Sequence, residues 1–184
     1  GEAIMDMAGG TGDIAFRLAA AGAEVTVADI NQDMLDVGIE RAMDRGLDSL
    51  VWSRQNAEEL SFPDRFFDAY TIAFGIRNVT SLEHALTEAL RVLKPGGRFL
   101  CLEFSRPWTP IRPFYDLFSF AVIPRLGAWI AREPEAYTYL VESIRRFPDQ
   151  DAFKLTMEQA GFADVRYRNL SFGIACLHSA TKAG

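Results

Sequence analysis

Cysteine and histidine are scarce in this chain, and neither occurs in a pattern that would hold a metal. There are two of each in 184 residues, and Cys101 and Cys176 lie far apart inside apolar stretches with no ligand spacing around them. That usage fits buried free thiols in a reducing, cytoplasmic compartment and no metal centre. Positive charge is also in deficit: 19 Lys and Arg stand against 25 Asp and Glu, a formal net charge of -6. A protein that neutralises phosphate backbones needs a basic face, so no nucleic acid partner is expected. No basic segment followed by an apolar core opens the chain, and no run approaches the roughly 20 apolar residues of a membrane span. The nearest approach, Phe114 to Ala131, is broken by Asp116, Pro124, Arg125 and Gly127, which leaves an apolar helical segment able to line a greasy pocket.

What is abundant is core material. Hydrophobic residues make up 49% of the chain, fourteen Phe and three Trp among them. A chain of this size buries roughly 70% of the surface its unfolded form exposes, so one domain can stand without disulfides. A single domain over 1–184 is expected. Because Gly1 is not a translation start and Ala3 to Met7 already reads as a buried strand, a further segment is expected to precede it.

Short apolar runs alternate with amphipathic stretches through the first hundred residues, the pattern of an α/β fold with a mostly parallel sheet covered on both faces. Strands are expected at Ala3 to Met7, Glu24 to Asp29, Leu50 to Arg54, Phe67 to Phe74 and Arg98 to Phe104. Helical spacing joins Leu35, Ile39 and Ala42, and again Leu82, Leu86, Leu90 and Leu93. Asn31 can cap the first of these helices, Thr80 with Glu83 forms a capping box for the second, and Lys94-Pro95-Gly96-Gly97 stops it. An aromatic, proline-interrupted insertion occupies about 106–147. A helix over Asp149 to Ala160 follows, with Gly161 just past its C-cap. The last two strands, around Val165 to Leu170 and Gly173 to Ala180, are too close in sequence for a crossover helix, so they must pair antiparallel.

The first strand runs into Asp6-Met7-Ala8-Gly9-Gly10-Thr11-Gly12-Asp13 and then a helix, the place where a doubly wound sheet receives a nucleotide-like ligand. Gly10-Thr11-Gly12-Asp13-Ile14-Ala15 satisfies the dinucleotide pattern with Ala in its last place, and Asp29 ends the second strand where it could grip a ribose diol. An NAD(P)-dependent oxidoreductase is therefore one reading. Asp13 opposes it, because a carboxylate there spoils the positive helix end that a pyrophosphate needs. S-adenosylmethionine has no phosphate, and its sulfonium and ammonium are favoured beside carboxylates such as Asp6 and Asp13. A tight turn with no ligand is the third reading of the same residues. Against it, Asn56-Ala57-Glu58 and Ala73-Phe74-Gly75 follow the third and fourth strands, so small or polar groups gather at successive C-terminal strand ends.

Three stretches carry a family resemblance: Asp6 to Asp13; Phe74-Gly75-Ile76-Arg77-Asn78-Val79; and Arg91-Val92-Leu93-Lys94-Pro95-Gly96-Gly97 continuing into Leu102-Glu103-Phe104-Ser105. Tyr139-Leu140, Glu142-Ser143-Ile144 and Phe147-Pro148-Asp149-Gln150 extend it over essentially the whole chain. The sequence resembles the class I S-adenosylmethionine-dependent methyltransferases, and within them the ubiquinone/menaquinone biosynthesis C-methyltransferases. The resemblance implies a Rossmann-like sheet of seven strands ending in an antiparallel hairpin. It also implies S-adenosyl-L-methionine as cofactor and methyl transfer to a ring carbon of a polyprenyl benzoquinol or demethylmenaquinol. A catalytically silent cofactor-binding subunit of a biosynthetic assembly is the remaining alternative.

By position, the resemblance places Ala8, Gly9, Gly10, Thr11 and Gly12 along the methionine part of the cofactor, Asp29 on the ribose, and Asn56 and Ala57 around the adenine, with Ile30 a further cofactor-binding candidate. Ala73 stands where the family often has Ser. Arg77 is the catalytic candidate, as a stabiliser of the substrate phenolate; a structural bond holding the Gly75 to Val79 turn is its plain alternative. Phe74, Asn78, Tyr115, Phe118 and Tyr139 are the substrate-binding candidates. Phe114, Phe120 and Trp129 join Tyr115 and Phe118 in an aromatic segment that could either pack the insertion or line a channel for a prenyl tail. His84 fits an exposed helix face and His178 a structural place on a strand. The implied partner is a polyprenylated quinol, with peripheral contact at the inner face of the membrane, and a homodimer or quinone-biosynthesis assembly left open. The family's N-terminal helical cap, with its Tyr-Asp-x-Met-Asn type signature, is not represented in this sequence.

Overall fold

The computed structural model describes residues 1–106 and 134–184. Its elements are β1 (Ala3–Met7), α1 (Asp13–Ala20), β2 (Glu24–Asp29), α2 (Gln32–Met43), β3 (Val51–Arg54), β4 (Phe67–Ala73), a 3₁₀ turn (Ile76–Asn78), α3 (Leu82–Val92), β5 (Leu93–Phe104), α4 (Pro134–Arg146), α5 (Gln150–Gln159), β6 (Phe162–Leu170) and β7 (Ala175–Lys182). The seven strands form one sheet in the order β3-β2-β1-β4-β5-β7-β6. β1 to β5 pair in parallel, and β7 runs antiparallel to both β5 and β6.

Strand alternation distributes the core to two faces. Val27 and Ala28, neighbours along β2, fall in different apolar clusters. One unites β2 with Phe16 of α1 and Leu35 and Ala42 of α2. The larger joins Met5, Tyr70 and Phe99 of the strands to Leu86 of α3 and Phe153 and Met157 of α5. Cys101 and Cys176 are both buried and free, as their apolar settings suggest. The order reverses at β1 and β4, so the crevice above their C-terminal ends is the topological switch point where ligands bind in open α/β sheets.

Several local expectations are corrected. The N-cap of α3 is Ser81, whose hydroxyl accepts the His84 amide at 3.3 Å. The Thr80 amide is instead drawn to Glu58 at 2.6 Å, so no Thr80–Glu83 box forms. β5 starts at Leu93, which pairs with Phe67 before the register jumps to Ala69–Arg98. The Lys94 to Gly97 segment stops α3, as expected, and forms that irregularity. β3 begins at Val51, not Leu50, and β6 already at Phe162. β7 begins at Ala175 because Ser171, Phe172 and Gly173 take positive φ (47°, 58°, 88°) and turn the chain. Of the aromatic insertion, Phe114, Tyr115, Phe118, Phe120 and Trp129 lie outside the described residues.

Candidate cofactor and substrate site

Two strand ends meet at the switch point under unusual backbone conditions. Ala8, just past β1, and Phe74, just past β4, both hold positive φ, 53° and 55°. The costs for non-glycine residues are about 1 kcal/mol each or more, and such strain collects at functional sites. A Cβ on Gly75 would stand 2.3 Å from the Ala8 Cβ, so glycine is what lets the two turns touch.

The three glycines of the first loop divide by role. A Cβ on Gly9 would fall 2.6 Å from Val27 Cγ1, and one on Gly12 would fall 2.8 Å from the Trp52 ring and 2.9 Å from Phe16. Those two are demanded by packing. Gly10, at φ +53, would meet only the flexible tip of Met34, at 3.2 Å. Its face is the open one.

Asp29 shapes this loop: Oδ2 accepts the Gly10 amide at 3.0 Å and Oδ1 the Asn31 amide at 2.9 Å. Each oxygen keeps a lone pair for a ribose hydroxyl. Beside it Ile30, an apolar side chain just past the strand end, is 61% exposed. Asn56 is exposed, its Oδ1 accepting the Glu58 amide at 3.0 Å. The Ala57 methyl is buried in the core, so a contact from Ala57 to an adenine would come through its main chain.

The two carboxylates expected near the cofactor's positive charges behave differently. Asp13 is the first residue of α1, and Arg41 of α2 holds it at 2.6 Å, keeping its carboxyl below the usual range. The same guanidinium bonds the Thr11 carbonyl at 3.1 Å and the Thr11 hydroxyl. Asp13 is therefore a tether for the loop and no free counter-charge, and the sequence argument that it repels a pyrophosphate loses force because Arg41 neutralises it. Asp6 is the carboxylate that remains. It is 1% exposed, and burial pushes its pKa up to about 6 against the opposing hydrogen bond from Thr71. Thr71 donates to Oδ1 at 2.9 Å, and the Ala15 amide in the first turn of α1 also faces the carboxylate and opposes the upward shift. A buried carboxylate whose charge is answered only by neutral donors, beneath an open glycine loop, fits a ligand that brings positive charge.

On the other side of the crevice, the 3₁₀ turn and α4 enclose a cleft of about 390 Å³. Arg77, Asn78 and Tyr139 line it, with apolar walls from Ile76, Val79, Leu82 and Phe147, and Arg146 of α4, paired with Glu142, is a second cation at its rim. Tyr139 donates its hydroxyl to Asn78 Oδ1 at 3.2 Å, which brings together two candidates 61 residues apart in sequence. Phe74, 39% exposed, packs at 4.7 Å from Phe104. Tyr115 and Phe118 lie outside the described residues. The structure also shows what Arg77 touches: Nη1 lies 2.9 Å from Glu103 Oε1 and also donates to the Phe74 carbonyl. Glu103 is the residue that motif reading passed over. The signal was available, since a Glu inside the apolar run Phe99 to Phe104 needs a buried partner. His84 is exposed, and His178 is buried on β7 with Nε2 at 3.0 Å from the Gln150 carbonyl, as expected of structural histidines.

A mostly parallel sheet closed by an antiparallel final pair, with a glycine loop and a ribose-type carboxylate at its switch point, defines the class I methyltransferase fold. The chain belongs to the ubiE/COQ5 methyltransferase family, whose profile matches residues 1–182. It is 58% identical over 183 residues to the ubiquinone/menaquinone biosynthesis C-methyltransferase UbiE of Rubrivivax gelatinosus, covering 100% of this chain and 71% of that one. Against the protein of the same name from Zymomonas mobilis it is 52% identical over 182 residues, covering 98% of this chain and 75% of that one. Solved structures with the same fold include Haemonchus contortus phosphoethanolamine N-methyltransferase 2 in complex with S-adenosyl-L-methionine (TM-score 0.77, 15% identity, 100% of this chain and 49% of that one). The [4+2]-cyclase SpnF superposes nearly as well (TM-score 0.76, 19% identity, 100% of this chain and 76% of that one), so the fold alone does not name a reaction.

Proposed function

We propose that the chain is a C-methyltransferase of ubiquinone/menaquinone biosynthesis, moving a methyl group from S-adenosyl-L-methionine to a ring carbon of a polyprenyl benzoquinol or demethylmenaquinol. Family membership supports the reaction class, and it gives the nicotinamide and silent-subunit readings no footing. The observation that carries the chemistry is Arg77, a cation at the wall of the cleft beside the switch point.

S-adenosyl-L-methionine supplies an electrophilic methyl group on a sulfonium. For that methyl to be accepted by carbon, the ring needs the electron density that loss of a phenolic proton gives, so the protein's task is to hold the phenolate and align it. The Arg77 guanidinium serves to stabilise the phenolate and is not the base: the phenolic proton passes to solvent. Asn78 and Tyr139, already joined, orient the ring, and Phe74 covers it. Asp29 binds the ribose, Ile30 and the Asn56–Ala57 main chain flank the adenine, and Ala8 to Gly12, with Ala73, follow the methionine portion. Asp6 would supply negative charge to the cationic methionine portion.

Among the described residues no helix is long and apolar enough to cross a membrane. A polyprenyl tail nevertheless gives a reason for peripheral contact with a lipid surface, testable by co-sedimentation with vesicles. The activity is tested by incubating the protein with labelled S-adenosylmethionine and each demethylated quinol, then identifying the product. Label on a ring carbon is the expected result; label on oxygen, or none with either quinol, overturns the reading.

A further inference from the structure

Arg77 and Glu103 are both withdrawn from water, with side chains 10% and 1% exposed, and Arg77 lines the cleft while Glu103 lies behind it on β5. Glu103 shares a face of β5 with Phe99 and Cys101 and pairs across to Cys176 on β7, all of them buried. Nothing in that setting calls for a charge. Two of its three contacts go to the turn: Oε1 accepts Arg77 Nη1 at 2.9 Å and Oε2 the Arg77 amide at 3.3 Å, while Oε1 also accepts the neighbouring Phe104 amide at 2.8 Å. Arg77 then donates back to the carbonyl of Phe74, the residue at positive φ. One carboxylate thus fixes both the main chain and the side chain of Arg77.

A buried ion pair is a poor device for stability alone, because desolvation offsets most of the attraction and an apolar pair does as well or better. This one is also incompletely bonded. Arg77 Nε is buried and has no partner among the described residues, while the Phe104 ring lies 5.3 Å from the guanidinium carbon. Burial raises the Glu103 carboxyl above its ordinary range and Arg77 pulls it back. The guanidinium is held in a defined place with its charge only partly answered.

We propose that Glu103 is a positioning residue for the methyl transfer, fixing the Arg77 guanidinium at the cleft wall and, by sharing its charge, setting how strongly Arg77 draws the substrate phenol toward phenolate. The proposal rests on the reading of Arg77 as facing the quinol, and Glu103 itself touches neither substrate nor cofactor. Removing its charge leaves a less constrained but less neutralised cation. Turnover should fall through lost alignment, while the phenol should ionise at lower pH.

The test compares Glu103→Gln, Glu103→Asp and Arg77→Met in the full-length enzyme, with kcat measured across pH, S-adenosylmethionine affinity by calorimetry, and melting temperature. Glu103→Gln should lower maximal kcat roughly 10-fold or more, with cofactor affinity unchanged. The acidic limb of its kcat profile should move down by about one pH unit. Glu103→Asp keeps the charge but not the reach, so its limb should stay in place while kcat falls; it also serves if the Gln variant does not fold. In the Arg77→Met background, Glu103→Gln should cause no further loss. An unmoved limb in Glu103→Gln, wild-type kcat in Glu103→Asp, or full additivity with Arg77→Met overturns the proposal. Wild-type turnover in Arg77→Met alone overturns the underlying reading of Arg77 instead, and so tells the two failures apart.

Discussion

Asp29 accepts the Gly10 amide at 3.0 Å, so the carboxylate ending β2 shapes the glycine loop after β1. The carboxylate proposed to accept the ribose and the loop proposed to line the cofactor are one hydrogen-bonded unit. Disturbing either should therefore disturb both.

The first test of that unit is Asp29→Ala, which removes a charged acceptor of two hydroxyls and releases the Gly10 amide. A loss on the order of 2 kcal/mol in cofactor binding is expected. Asp29→Asn should be intermediate. Calorimetry with S-adenosylmethionine checks both, and unchanged affinity in the Ala variant would remove Asp29 from the ribose site.

Gly10 and Gly12 should separate in their effects. Gly12→Ala drives a methyl into the Trp52 and Phe16 rings at positive φ, so it should lower the melting temperature markedly. Gly10→Ala meets only the tip of Met34. Backbone strain of roughly 1–2 kcal/mol should cost it a few degrees, while cofactor-induced stabilisation is lost because the open face is filled. Thermal melts with and without cofactor would show the contrast, and equal damage to the unliganded fold would count against it.

Arg77→Met and Arg77→Lys should both bind S-adenosylmethionine normally and turn over more slowly. The Lys variant keeps the charge but changes the reach and shape of the group whose Nη1 bonds both Glu103 and the Phe74 carbonyl. For Met the loss should be roughly 100-fold. If the rate follows melting temperature across the two variants, Arg77 belongs to the architecture of the turn alone.

Asp6 gives a pH-dependent prediction. Its folded pKa, about 6, lies above the ordinary value of 3.8. The folded state therefore binds the proton more tightly, and the stability that this confers is complete below about pH 4 and is lost as pH rises through 6. By pH 7 the unliganded protein bears a penalty of about 3 kcal/mol. Asp6→Asn should raise the melting temperature at pH 7 by several degrees, do little at pH 4, and weaken cofactor binding. A variant that is less stable at neutral pH, or that binds the cofactor as well as the wild type, would argue against a buried charge kept for the ligand.

Sequence alone carried the parallel sheet, the crevice at the first loop and the antiparallel ending, because these depend on local period and on connection length. Five apolar runs separated by helical spacing leave few topologies, and the short link from Leu170 to Ala175 cannot hold a crossover. Asp29 was legible for the same reason, as an acid at a strand end a fixed distance past the glycine loop. Where expectations missed, two local signals competed and a distant residue decided. Thr80 and Ser81 can each cap a helix, but Glu58 takes the Thr80 amide from across the fold.

Side-chain partnerships were beyond such reading. Asp13 belongs to Arg41, 28 residues on, and Arg77 belongs to Glu103, 26 residues on, and neither spacing reflects any repeat of helix or strand. Tyr139 reaches Asn78 only because α4 packs over the 3₁₀ turn. The sequence by itself determined the residues able to carry the chemistry and the strand ends on which they stand. Tertiary structure decided which charges are free to act, since that depends on burial and on which distant partner packing brings within 3 Å or so.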